Sequence, residues 1–466
     1  MAPTRRDFLR HAACALGGLA AASSFESLGL VNAYAQSAGD YRALVCVFLN
    51  GGNDGNNMVV PLDDEGFNQY SGVRATSGLA LQRASFLPVN PPGQGRTFGF
   101  HPSLAEVKGL FDAGKAAVLC NVGPLVEPLT RATYLSGAGK RPLQLFSHSD
   151  QVAVWQTSVA HEISRTGWGG RTADRVAGLN GASPFSQAVS IAGVNTFLRG
   201  DDTRQLAVAD SNTPLAGLLT LDLNGPSSEW TSRRAAADQI RAAAVGNRLA
   251  RADADARAAA LQLSEQLRIP FRIFQTTFPN TTIGRQLLQV GRLIAERNRF
   301  QIKRQIFFTQ LGGFDTHANQ RAAGGQDTLL QQLSQALKAF HDLLVELGPA
   351  LGTDVTREVT TFTLSDFGRT LEPSGSGAQV GTDHGWGNHH FIMGGAVRGG
   401  DFYGRFPVLA LGGPDDADRR GRWIPTTSVE QYGATLATWY GLPPGDLPAV
   451  FPLLDRFPTA NLGFML

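Results

Sequence analysis

Three apolar runs of strand length each break into a short turn that carries an aspartate, a pattern few architectures accommodate. Ala43-Leu44-Val45-Cys46-Val47-Phe48-Leu49 leads through Asn50-Gly51-Gly52-Asn53 to Asp54. Residues 304–311 lead through Gly312-Gly313-Phe314 to Asp315, and Val359-Thr360-Thr361-Phe362-Thr363-Leu364 leads through Ser365 to Asp366. Apolar runs of this length read as buried strands. A fourth run, residues 116–122, follows a helical pattern of Leu104, Val107, Leu110 and Phe111 that stops near Gly114. Strand, helix, strand in that order is a βαβ unit and predicts a parallel sheet. Ligands in open α/β sheets bind outside the carboxyl ends of the strands, so neighbouring strands would gather these acids.

Gathered carboxylates repel one another, which raises their pKa values and costs stability unless a cation joins them. His317 and His384 add imidazoles to Asp54, Asp315 and Asp366, and a mixed oxygen and nitrogen set suits Zn²⁺ or Mn²⁺ better than Ca²⁺. A lone aspartate after a strand is more often a cap or turn former than a ligand. Three together with two histidines make a divalent metal site as good a reading as the bland one. Asp383, His389 and His390 take supporting places, and His101, His161 and His341 read as structural. Ser147 and Ser149 flank His148 at a predicted helix start, where they serve as caps or, beside an anion held by free N–H groups, as nucleophiles. No G-x-S-x-G elbow, Walker A loop, G-x-G-x-x-G loop or H-E-x-x-H helix occurs.

The 466 residues can bury a large core, and a formal net charge of +2 leaves no footprint for nucleic acid. Of 41 basic residues only five are lysine, an arginine excess that reads as composition. Thr4-Arg5-Arg6-Asp7-Phe8-Leu9-Arg10 is a twin-arginine pattern. A short small-residue apolar segment and Ala33-Tyr34-Ala35 follow it. Residues 1–35 are therefore expected to be a signal peptide, with export to the periplasm or beyond and no transmembrane segment after its removal. Cys46 and Cys120 sit in apolar runs and read as core thiols, with pairing left open. Residues 40–466 are expected to form one α/β domain with a mostly parallel central sheet flanked by helices. Within it, 63–100 reads as a surface excursion, and Ala- and Arg-rich 231–268 as a helical one.

Taken in order, five blocks resemble the signatures of the exported bacterial family catalogued as domain of unknown function 1501. They are Leu49-Asn50-Gly51-Gly52-Asn53-Asp54-Gly55, Phe146-Ser147-His148, Gly312-Gly313-Phe314-Asp315-Thr316-His317, Ser365-Asp366-Phe367-Gly368-Arg369-Thr370 and Gly381-Thr382-Asp383-His384-Gly385. The resemblance implies an alkaline phosphatase-like fold, in a superfamily of phosphatases, sulfatases and cofactor-independent phosphoglycerate mutases. By position it implies one metal on Asp315, His317 and His384. It implies a second on Asp54, Asp366 and a hydroxyl nucleophile, for which Ser147 and Ser149 stand. The superfamily usually has histidine where this chain has Phe367, which removes one imidazole from the second site, and the cysteine motif of formylglycine sulfatases is absent. Two functions follow as expectations: a metal-dependent hydrolase of small-molecule or polymer phosphate or related esters, or a non-catalytic envelope protein keeping at most one structural metal.

Overall fold

The computed structural model describes residues 41–466 except 182, 184, 216–227, 244–247, 268–271 and 376; the twin-arginine stretch lies outside the described residues. In chain order the strands are β1 Arg42–Leu49, β2 Val59–Pro61, β3 Leu87–Val89, β4 Phe98–Phe100, β5 Ala116–Gly123, β6 Ala188–Ser190 and β7 Leu206–Ala207. They continue with β8 Arg304–Leu311, β9 Val359–Ser365, β10 Arg369–Ser374, β11 Gly381–His384, β12 Asn388–Met393, β13 Phe402–Tyr403 and β14 Thr427–Ser428.

Nine of them form the central sheet, in the order β13-β5-β12-β9-β1-β8-β6-β7 with β14 also on β5. All run parallel to β1 except β12, which is antiparallel to both of its neighbours. The expected mostly parallel sheet is therefore present. Its order departs from a simple βαβ reading, because β9 and β12 lie between β1 and β5. Long connections carried those strands into a gap that local pattern does not show.

β1 is buried along nearly its whole length because both faces of the sheet are covered. Ala43, Val45, Val47 and Leu49 pack on one side with helices Ala105–Asp112, Thr282–Ala295 and Gln326–Leu351. Leu44, Cys46 and Phe48 pack on the other with Trp155, Trp168 and helix Val429–Tyr440. Period-two alternation of the strand thus divides its side chains between two cores. Each fully buried Leu, Val or Phe contributes about 1.5–3 kcal/mol. Cys46 and Cys120 belong to opposite cores, so the sheet itself keeps these free thiols apart.

The stretch 63–100 is only partly a surface excursion. β2, β4 and β3 form a small antiparallel sheet, and Phe98 and Phe100 are fully buried against Phe402, whose ring lies 4.9 Å and 6.0 Å from theirs. Its Pro, Gly and Asn content masked the two aromatic anchors. The Ala- and Arg-rich stretch forms helices Ser228–Ala243 and Arg248–Gln266. No helix among the described residues is long and apolar enough to cross a membrane.

Helix Val429–Tyr440 places Glu430 in its first turn against the second core, and burial pushes that carboxyl up to about 8. The folded protein holds a proton there that the unfolded chain releases near the ordinary carboxylate value. Stability should therefore fall as pH rises from about 4.5 to 8, by up to a few kcal/mol. Glu430→Gln should flatten this slope and raise the denaturant midpoint at pH 8.5 while leaving it nearly unchanged at pH 4.5, measured by urea unfolding at both values.

Candidate metal centre

β8, β1 and β9 lie side by side with Leu49 opposite both Leu311 and Ser365, so the three aspartate-bearing turns start from one line. The turns are laced together. Asn50 N–H donates to Leu311 O at 2.9 Å, Phe314 N–H to Asn50 O at 3.2 Å, and Asn53 N–H to Ser365 Oγ at 3.0 Å. Gly51 is needed where these turns meet. Its φ is +114°, and a Cβ there would lie 2.3 Å from the backbone nitrogen of Asp315.

Above this edge His148, Asp315, His317 and His384 each offer a ligand atom, all within 4.8 Å of one another. Asp315 Oδ1 is the hub. It lies 3.2 Å from His317 Nε2, 3.3 Å from His148 Nε2 and 3.6 Å from His384 Nε2. The Nε2 atoms of His317 and His384 are 2.8 Å apart.

The other ring nitrogen of each histidine is anchored. His148 Nδ1 faces Asp366 Oδ2 at 2.7 Å, His317 Nδ1 faces Asp383 Oδ1 at 2.9 Å, and His384 Nδ1 faces the Phe146 carbonyl at 2.6 Å. Carboxylates and carbonyls only accept, so every Nδ1 carries a proton, and in a neutral ring the Nε2 presents a bare lone pair to the others. Two bare nitrogens 2.8 Å apart would repel unless a proton or a cation lies between them, and Asp315 adds negative charge beside them. Tetrahedral bonds of about 2.0–2.1 Å place ligand atoms about 3.3 Å apart, close to the three distances from Asp315 Oδ1. These residues therefore fit one small divalent cation.

The surrounding charges act differently on each group. The Asp366 hydrogen bond raises the pKa of His148 over the opposing effect of burial. Burial, with the charges of His148, Arg369 and His317, lowers that of His384 despite its bond to Phe146. For Asp315, burial alone would raise the carboxyl, but Arg369, donating from Nη1 at 2.9 Å, and the nearby His148 and His317 hold it below the ordinary range. Asp383 is likewise depressed, Arg420 and His317 outweighing burial.

Phe146 supplies its carbonyl from a left-handed backbone, φ 76°, which for a bulky residue is strained by about 1–3 kcal/mol. Phe367 lies beneath the cluster, its ring 4.7 Å from that of His148 and 4.6 Å from that of His384. Phe367 thus packs under two of the three imidazoles.

Asp315, His317 and His384 come together as expected from the sequence. Asp54 and Asp366 do not join them as ligands. Asp54 is buried and committed: Arg74 pairs with both its oxygens at 2.7 and 3.1 Å, Gln320 donates at 2.6 Å, and Asn56 N–H caps onto it at 3.1 Å. Asp366 accepts from Gly51 N–H at 3.0 Å and orients His148, one shell out. Ser147 and Ser149 point elsewhere as well. Ser147 Oγ donates to Asp150 Oδ2 at 2.5 Å and lies 3.2 Å from Ser149 Oγ.

His148 is the member that sequence reasoning passed over, although it lay between the two serines considered. The arginines were passed over too. Arg74 and Arg369 are fully buried ion-pair partners rather than a trace of composition.

Residues 41–417 match the family described as "Protein of unknown function (DUF1501)", which leaves Arg420 and Arg422 outside the matched span. No curated protein matches the chain in sequence. Among solved structures the chain is similar to the PsFucS1 sulfatase from Pseudoalteromonas sp., at 10% identity and a TM-score of 0.31. That match covers 94% of this chain and 73% of the other. It is similar also to the lipoteichoic acid synthase LtaP from Listeria monocytogenes, at 9% identity and a TM-score of 0.32, over 88% of this chain and 74% of that one.

If Asp54 serves the fold through Arg74, removing the guanidinium strands a buried carboxylate. Arg74→Ala should cost about 3–5 kcal/mol in denaturant unfolding. Asp54→Asn should leave divalent-cation affinity within about twofold of wild type, whereas a ligand role for Asp54 predicts loss of binding.

Proposed function

The chain belongs to the DUF1501 family, and on that premise we propose that it is an exported protein with a single divalent-metal centre that hydrolyses phosphate or related esters. The observation that carries this reading is the convergence of three Nδ1-anchored imidazoles on Asp315 Oδ1 at the carboxyl edge of the sheet. Asp315 and His317 are nearly half exposed, so a substrate can reach the cluster from solvent, as catalytic centres require and closed structural ones avoid. When bound, a divalent ion there supplies Lewis-acid polarisation of an ester oxygen. Zn²⁺ and Mn²⁺ suit the three nitrogens and one oxygen.

The chain's own residues do the rest. Asp366 keeps the proton on His148 Nδ1, Asp383 keeps it on His317 Nδ1, and the Phe146 carbonyl keeps it on His384 Nδ1, which fixes ring orientation as well as tautomer. Arg369 holds Asp315 ionised and fixed in place. Phe367 closes the underside of the cluster to water. The twin-arginine pattern supports delivery of an already folded, metal-loaded protein across the membrane.

A second reading, a non-catalytic envelope protein with one structural metal, draws support from the hydroxyls. Ser147 and Ser149 bond Asp150, and among the described residues no side-chain hydroxyl is hydrogen-bonded to a side chain of the four-residue cluster, Ser374 Oγ reaching only the His317 backbone carbonyl at 3.3 Å.

The mature protein purified without chelator should carry about one divalent ion per chain by elemental analysis. His148→Ala, His317→Ala and His384→Ala should each abolish it, while Ser147→Ala and Ser149→Ala should retain it. Metal-dependent turnover of phosphomonoesters, phosphodiesters or sulfate esters, lost in the same three variants, supports the hydrolase. Stoichiometric metal with no turnover across that panel, but a fall in melting temperature on chelation, supports the structural protein. Metal-free protein with unaltered histidine variants sinks both.

A further inference from the structure

Residues 416–424 cross the outside of the cluster as a strap. Leu371 N–H donates to Gly421 O at 3.1 Å, Glu372 N–H to Arg420 O at 3.0 Å, and Gly387 N–H to Trp423 O at 2.9 Å. Trp423 Nε1 reaches Asn56 Oδ1 at 2.7 Å, and Asn121 Nδ2 reaches Ile424 O at 2.9 Å. The strap is thereby tied to β10, to the turn after β11, to the short helix Gly55–Met58 and to β5.

Two arginines on it, Arg420 and Arg422, each address one histidine. Arg420 donates from Nη2 to Asp383 Oδ2 at 2.8 Å and from Nε to Glu372 Oε2 at 2.8 Å. Asp383 passes that constraint to His317 Nδ1 through its other oxygen. Arg422 donates from Nε to the His384 carbonyl at 2.7 Å, pairs with Asp418, and lies 4.5 Å over the Phe146 ring. It therefore grips both the backbone of His384 and the residue whose strained carbonyl holds His384 Nδ1.

We propose that Arg420 and Arg422 are positioning residues that set the cluster's affinity for its cation without touching it. Arg420 acts through Asp383 on His317, and Arg422 through Phe146 and the β11 backbone on His384. The strap is the element that completes the centre, so cation binding and strap docking reinforce each other. This inference rests on the metal reading above.

The test uses wild type, Arg420→Gln, Arg422→Gln, Asp383→Asn and the double variant Arg420→Gln/Asp383→Asn. Each is stripped with chelator, checked by melting temperature in the metal-free form, and titrated with zinc chloride against a competing chelating dye. Each arginine variant should bind zinc about 10–100-fold more weakly, as outer-shell losses do, with the metal-free melting temperature close to wild type. The double variant should bind no more weakly than Asp383→Asn alone, because Arg420 acts through that carboxylate. Wild-type affinity in both arginine variants, or losses that simply follow a lowered metal-free melting temperature, overturns the proposal while leaving the metal centre standing. Absence of zinc binding by wild type overturns the metal reading itself, a different result read from the same titration.

Discussion

Everything at the carboxyl edge depends on the register of three parallel strands. Because Leu49 pairs with Leu311 on one side and Ser365 on the other, the turns after β1, β8 and β9 leave the sheet at the same height and cross-brace one another. A one-residue slip would turn each strand's core set to the wrong face, so the two hydrophobic cores enforce the register and the register enforces the site. Gly51 is the point where that coupling is tightest. Its amide fixes Asp366, Asp366 fixes His148, and its missing side chain makes room for the turn bearing Asp315.

The electrostatics then select how much positive charge the site can take. Around the cluster and its strap lie the carboxylates of Asp315, Asp366, Glu372, Asp383 and Asp418. The guanidiniums of Arg369, Arg420 and Arg422 face them. Carboxylates outnumber guanidiniums there, an imbalance that favours a bound cation. A second divalent ion at the same edge would need further carboxylates, and Asp54, the nearest in the turn after β1, is already neutralised by Arg74.

Much of this was legible in the sequence, for identifiable reasons. Buried parallel strands are apolar throughout, so β1, β5, β8 and β9 announced themselves, and the acids that follow three of them marked the edge where ligands gather. Asp315, His317 and His384 followed from that pattern. His148 did not, because it sits at a helix start 167 residues before Asp315 in sequence, and only the sheet order brings that helix over β9. The partners of the carboxylates were equally hidden. Arg74, Arg369 and Arg420 act through long side chains that carry no local signature, and an arginine excess across the chain obscured the few that matter. Phe98 and Phe100 were masked in the same way, by the loop-like composition around them.

The comparison of Asp54 with Asp366 shows why a strand-end acid is a poor predictor of ligation when taken alone. Both are buried, both follow a β-strand, and both accept a backbone N–H from the turn after β1. What separates them is the partner that reaches their remaining oxygens. A fully buried guanidinium reaches Asp54 and turns it into a structural ion pair. An imidazole reaches Asp366 and makes it the anchor of one ring of the cluster. Phe367, the residue next to Asp366, supports the second outcome sterically. Its ring fills the space beneath His148 and His384, and a Cβ on Gly52 would meet it at 2.6 Å. On the Asp54 side the edge is thus occupied by side chains of the protein itself, and the open position falls where Asp315 faces three imidazoles and solvent.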